Sequence, residues 1–285
     1  MPGMSAVREN PLVKAEWLEA HFGDPAVRVI EVSSEESPAT FDAGHIPGAD
    51  WFYWKDLCWD DSDREFASPE QVAARLGAVG IDETTVVVVS GDPVQFGTYA
   101  YWALLMAGHP QLRLLDGART RWVADGRPLA TTAVTRHPVA YRPQPPDQSM
   151  RANRDDVRDH LGEAGRLLLD VRSPEEYRGE RVMPPPDFDH GAERKGRIPG
   201  ARHLYYRKLL NDDDTFKGAD ELRAVLAGEG IDPTLFGDVV AYCRLSHRAT
   251  LVWTALHHLL GLDHVKIYDG SWTEWGSMVG MPVET

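Results

Sequence analysis

The sequence predicts an α/β chain made of two copies of one domain, each a parallel sheet flanked by helices on both faces. Three observations lead there. Blocks of sequence recur in the same order in the two halves. Short apolar strands alternate with helical stretches within each half. A proline-rich segment separates the halves.

The recurrence is the strongest of the three. Val86-Val87-Val88-Val89-Ser90 stands against Val239-Val240-Ala241-Tyr242-Cys243. Ser90 and Cys243, Gly117 and Gly270, and Trp122 and Trp275 are each 153 residues apart. Upstream, His45-Ile46-Pro47-Gly48-Ala49 matches Arg197-Ile198-Pro199-Gly200-Ala201 at a spacing of 152. A fixed period of this kind marks a duplicated structural unit. The expected organisation is a non-catalytic domain over 1–130, a linker over 131–150 and a catalytic domain over 151–285. The linker holds Pro138, Pro143, Pro145 and Pro146, and proline fixes φ and lacks a donor, so an extended path over the surface is expected.

Ser68-Pro69-Glu70-Gln71 opens a helix of the first copy, with a capping-box pattern and proline in the first turn. In the second copy, residues 166–171 and 238–242 read as short strands buried on both faces, because their apolar residues run on without alternation. From Ala249 to Leu260 the apolar residues follow helical spacing, and Gly261 stands where a helix ends. Val265 to Tyr268 is the next strand.

The bulk composition narrows the function. The chain has 285 residues, 42% of them hydrophobic, enough for two cores. With 30 basic against 44 acidic residues the net charge is −14, so phosphate backbones and anionic membrane surfaces are repelled. No nucleic acid and no membrane partner is expected. The N-terminal stretch MPGMSAVREN lacks the apolar core of a secretory signal, and no apolar run approaches the ~18 residues of a membrane helix. Two cysteines, Cys58 and Cys243, exclude a disulfide framework and a cysteine zinc site, and point to a reducing, cytoplasmic setting. His257 and His258 are adjacent on a helix and face different ways, so no metal and no cofactor is expected. Cys58 lies beside Asp60 and Asp61, which oppose its ionisation, and is read as structural.

Cys243 is different. It ends a strand just before a helix, the ligand position of open α/β sheets. A helix N-terminus carries partial positive charge and free N–H groups. Arg244, His247 and Arg248 add cationic groups within the same short loop. All of these favour a thiolate, the nucleophile of sulfur exchange. Ser90 holds the equivalent place in the first copy, beside Asp92 and with no nearby cation, so that copy is expected to be non-catalytic.

The whole second half resembles the catalytic domain of the thiosulfate and 3-mercaptopyruvate sulfurtransferases, the tandem rhodanese family. The resemblance rests on Asp170-Val171-Arg172-Ser173-Pro174-Glu175-Glu176-Tyr177, on Ile198-Pro199-Gly200-Ala201, on Tyr242-Cys243-Arg244, and on Asp269-Gly270-Ser271-Trp272-Thr273-Glu274-Trp275. The first half is similar to the family's N-terminal domain. The resemblance implies two tandem rhodanese-like domains and a persulfide on Cys243. It implies a small anionic sulfur donor, thiosulfate or 3-mercaptopyruvate, held by the loop of Arg244, Ser246, His247 and Arg248, with cyanide or a thiol as acceptor; where some members carry a substrate-binding arginine this chain has Glu176, and Arg172, or else Arg178, is expected to take its place. Arg244 matches the arginine common in thiosulfate users. Three departures stand out: Ser246 where the family loop has glycine, His247 in place of glutamate, and Glu176 at a position that is arginine in some members. Two other readings compete. A non-enzymatic binding module is one. A phosphatase is the other, but its loop needs arginine where Ala249 stands; Arg248 comes one residue early. Arg181 to Lys195 reads as an inserted surface loop.

Overall fold

The structure is a computed structural model that describes residues 10–132, 134–184 and 186–285. The N-terminal stretch MPGMSAVREN, expected not to be a secretory signal, lies outside the described residues, apart from Asn10. The chain forms two compact units. One comprises Pro11–Gln148 with Asp212–Thr215; the other contains Ser149–Asn211 and Phe216–Thr285.

The first unit has five strands: β1 (Leu12–Val13), β2 (Val27–Ser33), β3 (Ala49–Tyr53), β4 (Val86–Asp92) and β5 (Leu112–Leu115). Their order in the sheet is β1-β5-β4-β2-β3, all parallel. Helices α1 (Ala15–Ala20), α2 (Ala39–Ala43), α3 (Trp54–Cys58), α4 (Pro69–Ala78), α5 (Val94–Met106) and α6 (Ala118–Ala124) connect them. Val87, Val88 and Val89 are wholly buried, as expected for a central strand covered on both faces. The expected capping box is present: Ser68 accepts from the Gln71 N–H, and Gln71 accepts from the Ser68 N–H.

The second unit repeats the plan. Strands β6 (Arg151–Ala152), β7 (Arg166–Asp170), β8 (Arg202–His203), β9 (Asp238–Tyr242) and β10 (Val265–Tyr268) lie in the order β6-β10-β9-β7-β8, again all parallel. Its helices are α7 (Arg154–Asp159), α8 (Pro174–Tyr177), α9 (Ala219–Gly228), α10 (His247–Thr254) and α11 (Ser271–Trp275). The identical strand order is what a duplication requires. The long helix expected to 260 is α-helical only to Thr254, then continues as a π-helical turn over Ala255–Leu259. Gly261 follows at φ +73°, the left-handed conformation that ends it.

Residues 131–132 and 134–148 form no helix or strand and are fastened to the first unit. The Val139 N–H donates to the Gly77 carbonyl, the Asp147 N–H to the Met106 carbonyl, and the Tyr141 hydroxyl meets His109 Nδ1 at 2.6 Å. Among the described residues no helix is long and apolar enough to cross a membrane.

Candidate active site around Cys243

The motifs that stood out in the second half are one hydrogen-bonded assembly. Tyr242, the last residue of β9, donates its hydroxyl to Asp170 Oδ2 at 2.7 Å and accepts from the Ile198 N–H at 3.0 Å. Asp170 in turn accepts from Arg172 Nε at 2.9 Å and Nη2 at 2.6 Å. The Cys243 N–H donates to Ser271 Oγ, and its carbonyl accepts from the Trp272 N–H. The Arg244 carbonyl accepts from the Thr273 N–H. The start of α11 therefore clamps the backbone of the cysteine loop.

Cys243 is a free thiol, 1% exposed. Four residues on, His247 opens α10. Among the described residues, no hydrogen bond accounts for the N–H groups of Arg244, Leu245, Ser246 and Arg248. Unsatisfied donors ahead of a helix start are suited to an anion. Ser246 takes the left-handed backbone its position demands, at φ +69°. For a residue other than glycine this costs on the order of 1 kcal/mol. Its hydroxyl donates to the Asp269 carbonyl, a bond glycine could not make, worth about the same. Serine is accommodated here by that exchange.

The two arginines of the loop differ. Arg248 donates through Nη1 and Nη2 to both carboxylate oxygens of Glu176, at 2.6 and 2.9 Å, and both side chains are buried. Burial alone would lower the Arg248 pKa; the bonds to Glu176 and the charges of Glu176 and Cys243 outweigh it and raise it. Arg244 has no carboxylate partner among the described residues. Its pKa is lowered by burial and by the Arg248 charge. Gly191 of the inserted segment lies against it: a Cβ there would come within 2.6 Å of Arg244 Nη1. The insertion thus reaches the site. It is anchored by Arg194, which donates to the carbonyls of Trp275, Gly276, Met278 and Met281.

Arg172 does not join this loop. Its side chain is wholly buried, bonded to Asp170 and to the Gly196 carbonyl, and lies 4.7 Å from the Trp272 ring centroid. It is framework, and the substrate-binding role expected for it is corrected accordingly. His247 is buried as the first residue of α10. Glu176 was noted only as a departure; its pairing with Arg248 spans 72 residues of sequence. The signal for its position was available, since Ser173-Pro174-Glu175-Glu176 repeats the capping-box pattern of Ser68-Pro69-Glu70-Gln71. The box is formed, with the Ser173 N–H donating to Glu176 Oε2 at 2.9 Å. Cys58 is fully buried and its thiol is pushed up by burial, not by the neighbouring acids.

Comparison with known proteins shows the family to which the chain belongs. The rhodanese-like domain matches the chain twice, over residues 14–125 and 153–278. The sulfur carrier protein TtuD of Thermus thermophilus is 44% identical over 284 residues, 98% of both chains. A Saccharopolyspora erythraea protein provisionally assigned as a thiosulfate sulfurtransferase is 41% identical over 97% of each chain. Wild-type EanB superposes with a TM-score of 0.83 at 25% identity, covering 99% of this chain and 71% of that one. The anaerobic ergothioneine biosynthesis enzyme of Chlorobium limicola, in complex with trimethyl histidine, gives 0.82 at 25% identity, over 99% of this chain and 72% of that one.

Proposed function

Since the chain belongs to the rhodanese family of sulfurtransferases, we propose that it moves a sulfane sulfur from thiosulfate to a thiol or to cyanide through a persulfide on Cys243. The observation that carries this is a buried free thiol in a loop with unsatisfied N–H donors and one unpaired cation, Arg244. The Cys243 thiolate attacks the outer sulfur of thiosulfate. The S–S bond breaks, and sulfite leaves with the bonding pair. The acceptor then attacks the outer sulfur of the persulfide, and the thiolate is regenerated. Arg244 and the N–H groups of the loop hold the anionic head of the donor, with Arg248, Ser246 and His247 shaping the loop around it. Sulfur held on the protein and passed on agrees with the name of the TtuD relative, a sulfur carrier.

Intact-mass measurement after incubation with thiosulfate tests the reading. The expected result is a gain of one sulfur atom, removed by cyanide as thiocyanate and absent in Cys243→Ala. No gain with thiosulfate or with 3-mercaptopyruvate would overturn it in favour of a binding module. Loading by 3-mercaptopyruvate alone would reassign the donor.

A further inference from the structure

Within that reading of the site, on which the following rests, the least expected feature is the fate of Arg248. It sits one residue into α10, close enough to Cys243 for their charges to interact. A second cation there would ordinarily be available to an anionic donor. Glu176 takes it up instead. The carboxylate is 0% exposed, and its orientation is set independently by the capping box of α8, in which Glu176 Oε2 also accepts from the Ser173 N–H. Arg248 meets it in a two-point fork, the strongest geometry for this pair. The pair is neutral as a unit, and withdrawing one member would leave the other charge buried without compensation. Arg244, seated against Gly191, remains as the loop guanidinium that has no carboxylate among the described residues.

We propose that Glu176 is a specificity-determining residue acting through Arg248: by cancelling its charge, it leaves the donor site with one net cation. The site then recognises a tetrahedral or carboxylate head through Arg244 and neutral N–H donors, and does not reward a second negative charge. The substrate class that fits is small sulfur donors with either one or two negative charges. A thiosulfonate and thiosulfate would be bound with similar strength. The same property lets a doubly charged product such as sulfite leave readily.

Two anions of similar head shape, sulfate with two charges and methanesulfonate with one, serve as probes. As competitive inhibitors of sulfur loading in the wild-type protein, they should differ by less than about threefold. In Glu176→Gln the capping hydrogen bond can be kept while the countercharge is lost. There sulfate should gain roughly tenfold over methanesulfonate, and the KM for thiosulfate should fall while kcat changes less; one charge-assisted hydrogen bond is worth roughly this much. A merely structural role for Glu176 would move both inhibitors together. Should Glu176→Gln fail to fold, the wild-type pair still decides: sulfate binding tenfold or more tightly than methanesulfonate overturns the proposal. So does an unchanged inhibitor ratio in folded Glu176→Gln. Failure of the wild-type protein to load sulfur at all is a separate outcome, which removes the functional reading itself.

Discussion

The two units share a strand order, yet the turns at the ends of β4 and β9 have opposite characters. In the second unit the turn holds Cys243, unsatisfied N–H groups and Arg244. In the first, Ser90 and Gly91 still belong to β4; Ser90 is fully buried, its hydroxyl without a partner among the described residues, and Gly91 is pressed against Gly97 of α5. A Cβ on Gly91 would lie 2.0 Å from the Gly97 nitrogen, so the helix start fills the place where a cradle would open. The acids behind the turns differ in parallel. Ile198 N–H reaches Asp170 through the Tyr242 hydroxyl, whereas Ile46 N–H donates directly to Glu31. Asp170 has a full guanidinium partner; Glu31 has Arg119 at 3.5 Å. One fold therefore supports either a closed turn or an anion cradle. The backbone around the helix start makes the difference as much as the nucleophile does.

The sharpest way to break this contrast is to move the cysteine. The double variant Ser90→Cys, Cys243→Ala should take up no sulfur from thiosulfate by intact mass, because the first turn has no room and its nearby cation, Arg119, faces Glu31 and Asp92. Sulfur loading there would show that the thiol alone suffices. The next largest effect concerns stability. Asp170→Ala strands Arg172 in the core and should cost about 3–5 kcal/mol in denaturant unfolding. A loss under 1 kcal/mol would mean that the buried pair contributes little beyond its packing.

The smallest effect lies in the first unit and depends on pH. Burial raises the Glu31 pKa from 4.5 to about 7, against the opposing bond from Ile46. The folded state therefore holds this proton more tightly than the unfolded chain. The stability it contributes is full below pH 4.5 and is lost as pH rises through about 7. Glu31→Gln should flatten that decline by on the order of 3 kcal/mol, at about 1.4 kcal/mol per pKa unit. Equal slopes for the two proteins between those pH values would discount the buried carboxylate.

The duplication and the candidate cysteine were legible because they depend on local spacing. The 153-residue period survives any detail of packing, and a cysteine between a strand and a helix keeps its meaning in one dimension. What escaped was pairing at long range. Arg172 and Arg248 look alike as cations near the motifs, but one is consumed by Asp170 two residues away and the other by Glu176 across the unit. Charge counted along a loop overstates the charge that a ligand meets. The π-helical turn at Ala255–Leu259 likewise has no signature in a helical run of apolar residues.

Arg194 leaves a last consequence. Residues 276–284 form neither helix nor strand, and three of the four carbonyls gathered by this one guanidinium come from them. The same side chain stands three positions after Gly191, on which Arg244 rests. Residues 276–281 are thus a tether for the insertion: loosening them would be felt at Arg244 before it was felt in the sheet.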